Sequence, residues 1–289
     1  VALSTFWIVF LSILGGVGAV VGIGWFVWWL VERRLNQKIL QEMLDEIKMV
    51  RERQRDMQFY LDGIPEVRNR RKAVIYRDAF RAMREYKHDE AIKKFQEALP
   101  LTANPSERCA ILNLIGLNQR KSGANRYAEK TFKEMLEIAE QAKLDEALAA
   151  ALGNIGLVYR TIGEPKKALE YHEKALEIAK KIGNLETQAS TLGNIGLVYR
   201  TLGEPRKALE YYQKALEIDE KIGSLEGQAI QLGNIGLVYY TLGEPHKALE
   251  YYQRAREIFV KIGAKHMIKQ TDHYIDITKR KIAGETGTE

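Results

Sequence analysis

The chain has 289 residues, 46% apolar and 28% charged, with six prolines and a single cysteine, Cys109. This balance excludes a disordered or disulfide-built protein and points to an ordered, helix-rich one. The net charge of +6 divides into +3 over residues 1–72, +1 over 73–148 and +2 over 149–289, so the clustered basic face that nucleic-acid binding needs is missing.

From Phe6 to Val31 no residue is charged. As a helix this stretch is roughly 39 Å long against a hydrocarbon core of about 30 Å, with Trp7 near one end and Trp25, Trp28 and Trp29 near the other, so residues 1–32 are predicted to be a transmembrane anchor. Arg33, Arg34 and Lys38 follow the apolar run and none precedes it, which predicts a single-pass membrane protein with its C-terminal part in the cytoplasm. The glycines from Gly16 to Gly22 lie inside this run, without the preceding strand a dinucleotide loop requires. Gly18 and Gly22 instead suit close helix packing.

Residues 33–63 are predicted to form a heptad-patterned, coiled-coil-like helix. Leu40, Met43, Ile47, Val50, Gln54, Met57 and Leu61 follow alternating spacings of three and four. Continued backwards, the same seam passes through Gly22, Ala19 and Gly15. The residues expected to associate are therefore Gly15, Ala19, Gly22, Leu40, Met43, Ile47, Val50, Met57 and Leu61, either with copies of this chain or, as the alternative, with a different membrane protein or this chain's own repeats. Gly63 and Pro65 end the helix, and residues 64–72 read as a basic, solvated linker.

The rest of the chain repeats every 40 residues. Leu152 to Tyr159 recurs as Leu192 to Tyr199 and Leu232 to Tyr239, each followed by a Gly-Glu-Pro turn at 163–165, 203–205 and 243–245. Alanines at 168, 208 and 248, and again at 175, 215 and 255, complete a helix–turn–helix unit that can bury its apolar face only by stacking on neighbours. A worn copy contains Leu112, Gly116, Gly123, Ala128 and Met135. A more divergent one contains Ala79, Ala91, Phe95 and Ala98. Five repeats are counted over 73–266, with a capping helix and tail over 267–289. Tyr171, Tyr211, Tyr212, Tyr251 and Tyr252 read as packing residues.

Gly156, Tyr159, Ala168 and Ala175, with their counterparts 40 and 80 residues on, resemble the signature positions of the tetratricopeptide repeat family. The longer period and the Leu-Gly-Asn opening are similar to the extended repeats of kinesin light chains and Leu-Gly-Asn repeat adaptors. The resemblance implies an all-α fold, a right-handed tetratricopeptide-like α-solenoid following the transmembrane and heptad helices. It also implies protein partners, a peptide or helix bound in a groove lined by the first helix of each hairpin. By position, Asn154, Asn194 and Asn234 would contact ligand backbone, and Gly153, Gly193 and Gly233 would allow close approach. Arg160 and Arg200 would read an acidic ligand, with Tyr240 in the arginine's place in the last copy. The plainer alternative leaves the asparagines bonding adjacent turns and the likeness of the repeats reflecting duplication.

His88, His172, His246, His266 and His273 show no metal-ligand spacing, and no nucleophile motif, phosphate loop or zinc pattern occurs. No catalytic residue, metal or cofactor is expected. The sequence therefore predicts a membrane-anchored, oligomeric scaffold or adaptor that is not an enzyme. The alternative is a structural subunit of a larger membrane assembly, held through its transmembrane and heptad helix.

Overall fold

The computed structural model describes residues 70–102 and 104–286. Among them every element is helical: α1 (Arg70–Arg84), α2 (His88–Ala98), a 3-10 turn (Leu99–Leu101), α3 (Pro105–Lys121), α4 (Asn125–Gln141), α5 (Asp145–Thr161), α6 (Pro165–Lys181), α7 (Leu185–Thr201), α8 (Pro205–Lys221), α9 (Leu225–Thr241), α10 (Pro245–Lys261) and α11 (Lys265–Thr286). The chain divides into two compact units, one ending at Val158 and the other beginning at Tyr159.

The turns explain the helix boundaries. After α7, Gly203 takes φ +74°, which lets the Glu204 N–H reach back to the Tyr199 carbonyl at 2.9 Å. Pro205 then opens α8 at a position where a missing N–H costs nothing. The side chains of Asn184 and Ser224 cap α7 and α9 by accepting from the N–H groups of Thr187 and Gly227. Lys143 holds φ +55° at the place where the later repeats have Gly183, Gly223 and Gly263, all with positive φ.

In the first unit, Phe80 meets Phe95 edge to face with centroids 5.5 Å apart, and Gly116 leaves the space that the Phe132 ring fills. Lys72 is buried and donates to the Glu107 carboxylate at 2.5 Å, beside Tyr76, whose hydroxyl donates to the same oxygen at 2.9 Å. Arg70, Arg71 and Lys72, read from sequence as the end of a solvated linker, are thus helical, because a buried carboxylate draws Lys72 inward. The Glu107 charge and burial push the Tyr76 hydroxyl pKa well up, burial being the larger cause.

In the second unit, glycines on α7 and α9 seat the rings of the following helices. A Cβ on Gly196 would lie 2.7 Å from the Tyr212 ring, and one on Gly236 would lie 2.9 Å from Tyr252. Around these rings cluster Ala208, Ile235 and Val238, then Ala248 and Ile275. Tyr159 stacks on Tyr171, Tyr199 on Tyr211 and Tyr239 on Tyr251, at 5.2–5.4 Å between centroids. Lys167, Lys207 and Lys247 lie over the first ring of each pair. Helix α11 closes the unit by stacking Tyr274 on Tyr252 and by an Arg256–Asp272 ion pair.

The expectation of a single-pass membrane protein is corrected. Among the described residues no helix is long and apolar enough to cross a membrane. Most are 17 residues long, short of the ~20 apolar residues a span needs, and the longest, α11, carries lysine, arginine and aspartate along its length. The apolar stretch 6–31, the heptad helix and the association residues from Gly15 to Leu61 lie outside the described residues.

Two substitutions test the packing. Gly196→Ala should cost about 1–3 kcal/mol in urea unfolding, because its methyl group would press on a fully buried ring. Lys143→Gly should add about 0.5–1 kcal/mol by relieving a left-handed backbone. A neutral Gly196→Ala or a destabilising Lys143→Gly would contradict this account of the hairpins.

Candidate functional site

Each first helix of a hairpin has two sides. On α9, Leu232, Ile235, Gly236 and Val238 face the core, while Gly233, Asn234, Leu237 and Tyr240 form a half-buried stripe at spacings of one, three and three. On α7 the matching stripe is Asn194, Leu197 and Arg200, with Gly193 buried behind it. Helical geometry therefore sets the asparagines and Arg200 of the second unit along one kind of face.

The glycines of that face are not equivalent. A Cβ on Gly233 would meet nothing within 4 Å, and the same is true of Gly153 in the first unit. At Gly193 the space is taken by the Gln231 amide, which a Cβ would meet at 3.0 Å. Gln231 stretches onward towards the buried Asp219 carboxylate, 3.5 Å away, which itself needs Gly227 to make room.

The asparagines differ too. Asn154 is buried, and its amide nitrogen donates to the Asn113 oxygen at 2.6 Å, so in the first unit this side chain bonds the neighbouring helix. Asn194 and Asn234 are half-buried, and neither side chain makes a hydrogen bond among the described residues.

Arg160 and Arg200 both belong to the second unit, at the C-terminal ends of α5 and α7. Arg160 is half-buried, its Nε is sealed from solvent without a hydrogen-bond partner, and its pKa is lowered first by burial and then by the Arg200 charge. The buried Tyr212 hydroxyl, also unpartnered, is pushed up to about 12 by burial, against the opposing pull of Arg200 and Arg160. At Tyr240, which replaces arginine, Lys281 of α11 lies over the ring at 4.7 Å, so a cation is supplied there from another helix.

By spacing alone His172 is no metal ligand, and the structure gives it a different place. It occupies the register position of Phe132, Tyr212 and Tyr252, is fully buried, and neither ring nitrogen has a partner. The signal lay in that departure from the aromatic pattern. Among the described residues no group of three or more His, Cys, Asp or Glu side chains could hold a metal ion. Cys109 is buried, and burial pushes its thiol up to about 11, away from a reactive thiolate.

The model of the tetratricopeptide repeat family matches residues 107–181, 147–221 and 187–261. No curated protein matches the chain. Among solved structures, a Rap protein complexed with Competence and Sporulation Factor is similar at TM-score 0.64 and 17% identity, over 80% of this chain and 62% of that one. A STAND ATPase with a tetratricopeptide repeat sensor from Pyrococcus horikoshii is similar at TM-score 0.62 and 24% identity, over 76% of this chain and 34% of the ATPase. The nearly identical TPR-like repeats of a kinesin light chain candidate from Podosopora anserina are similar at TM-score 0.54 and 18% identity, over 67% of this chain and 97% of that one. This chain thus spans about a third of the ATPase, and at these identities the likeness is one of fold.

His172 gives the site a pH signature. Burial, with the Arg160 charge adding to it, pushes its pKa from 6.5 down to about 4. The folded ring stays neutral while the unfolded one takes up a proton, so its contribution to stability is complete above about pH 6.5 and is lost as the pH falls towards 4. Between about pH 7 and pH 4.5 the wild type should lose on the order of 2–3 kcal/mol relative to His172→Tyr, measured by urea unfolding. A difference between the two proteins that does not change with pH would contradict this.

Proposed function

This chain belongs to the tetratricopeptide repeat family, and we propose that it is a protein-binding scaffold whose second unit receives an extended segment of a partner along α7 and α9. The observation that carries the reading is Gly233. A glycine in the middle of a helix costs about 1 kcal/mol relative to alanine, and here no neighbour needs the missing methyl group. Gly196 and Gly236 explain themselves by the rings packed on them; Gly233 does not. An approaching partner backbone would supply the reason, and Asn234 beside it offers one donor and one acceptor to that backbone. Asn194, free of internal bonds, supplies the same pair of groups on α7, and Arg200 adds a positive charge. Gly153 shows the same open space in the first unit, next to an asparagine already bonded to Asn113.

The reading is of a binding protein rather than an enzyme. The Rap protein of similar fold is seen in complex with Competence and Sporulation Factor, which supports a recognition role for the fold. The heptad pattern over 33–63 adds that copies of the chain associate through that segment, multiplying the grooves presented to a partner.

Gly233→Ala separates function from folding. It should raise stability by up to about 1 kcal/mol and yet remove the proteins that copurify stoichiometrically with the tagged wild-type chain. Asn234→Ala should lose the same companions, whereas Glu217→Ala, exposed on α8, should keep them. Retention of the companions by both groove variants would overturn the proposal.

A further inference from the structure

In the second unit the Tyr212 ring packs on Gly196, one helical turn before Arg200 on α7. The charges of Arg200 and Arg160 both act on its hydroxyl, and that of Arg160 also acts on His172. These side chains are all hydrogen-bond donors in their ordinary forms. Neither arginine makes an ion pair among the described residues, and the charges that act on Arg160 include no carboxylate. The Arg160 Nε, the Tyr212 hydroxyl and both His172 nitrogens are buried without a partner. Buried polar groups are nearly always bonded, so a concentration of unpartnered donors around two like charges calls for an acceptor from outside the chain.

We propose that Arg160, Arg200 and Tyr212, backed by His172, bind a phosphoryl group carried on a side chain of the partner protein. The charge count selects this ligand. One carboxylate would leave one of the two guanidinium charges uncompensated, whereas a phosphate monoester carries about −1.5 to −2 and offers three acceptor oxygens. Each guanidinium fork can engage two of those oxygens, one oxygen being shared between the forks, and a lone pair left on any of them can accept from the Tyr212 hydroxyl. The Arg160 charge acts on His172, which takes the register position of Phe132, Tyr212 and Tyr252. There it replaces an aromatic ring with a group that donates one N–H when neutral. The repeat that follows does not reproduce this set: Tyr240 stands in place of the arginine and lies under Lys281. The proposal rests on the partner-binding reading of this unit and names the chemistry of the segment it receives.

The test titrates the full chain with phenyl phosphate, inorganic phosphate and glutarate at equal ionic strength, following the arginine Nε–Hε signals by NMR. Phenyl phosphate should bind at least about tenfold more tightly than glutarate, and Arg160→Gln or Arg200→Gln should each lose about tenfold. Tyr212→Phe, which keeps the ring on Gly196, should weaken binding by about threefold to tenfold. Phenyl phosphate binding more tightly than inorganic phosphate supports a partner-borne ester, and the reverse order overturns it in favour of the free ion. Equal affinity for glutarate, or indifference to both arginine substitutions in variants that melt like the wild type, overturns the phosphoryl assignment. The loss of companions in Gly233→Ala is read independently of the arginines, so a failed titration leaves the groove reading standing.

Discussion

The second unit depends on one steric bargain, struck where the two helices of a hairpin cross. Gly196 and Gly236 give up a side chain, and the rings of Tyr212 and Tyr252 occupy the space. Both rings are almost wholly removed from water, and each buries an area worth on the order of 2–3 kcal/mol. Alanines at 208, 248, 215 and 255 hold the backbones close enough for the rings to span the gap. Because the crossing is fixed by shape, the outer face of α7 and α9 is free to vary without loss of fold, and this is where the unexplained features gather.

Those features share a physical character. Gly233 gives up helix stability without a packing return, Asn194 and Asn234 have unspent hydrogen-bonding groups, and Arg160 and Arg200 repel each other without a counterion. Each is mildly unfavourable in the isolated chain. All of them become favourable against a partner that brings backbone amides and negative charge. Local inconsistency of this kind, set in an otherwise self-consistent hairpin array, is how a binding surface differs from a packing surface.

Much of this was legible in the sequence. The 40-residue period fixed the helices of the later hairpins, and the Gly-Glu-Pro turns placed their boundaries, because a positive-φ glycine followed by proline leaves few alternatives. What the period concealed was the difference between equivalent positions. Gly193 and Gly233 look alike, yet the long Gln231 amide fills one space while Thr271, 40 residues on from Gln231, leaves the other open. Asn154, Asn194 and Asn234 look alike, but only Asn154 has Asn113 of the worn copy to bond with. Lys72 looked like part of a solvated basic run because its partner, Glu107, lies 35 residues away. The anchor reading rested on residues 6–31, and the described helices carry nothing that spans a membrane.

The most direct measurement of the central claim is site-specific photocrosslinking from Asn234→p-benzoylphenylalanine in the full chain, compared with the same residue placed at Glu217 on α8. The account predicts a crosslink to a partner protein from position 234 and none from position 217. A crosslink from 217 with none from 234 would move the binding surface to the other side of the hairpins and contradict the groove on α7 and α9.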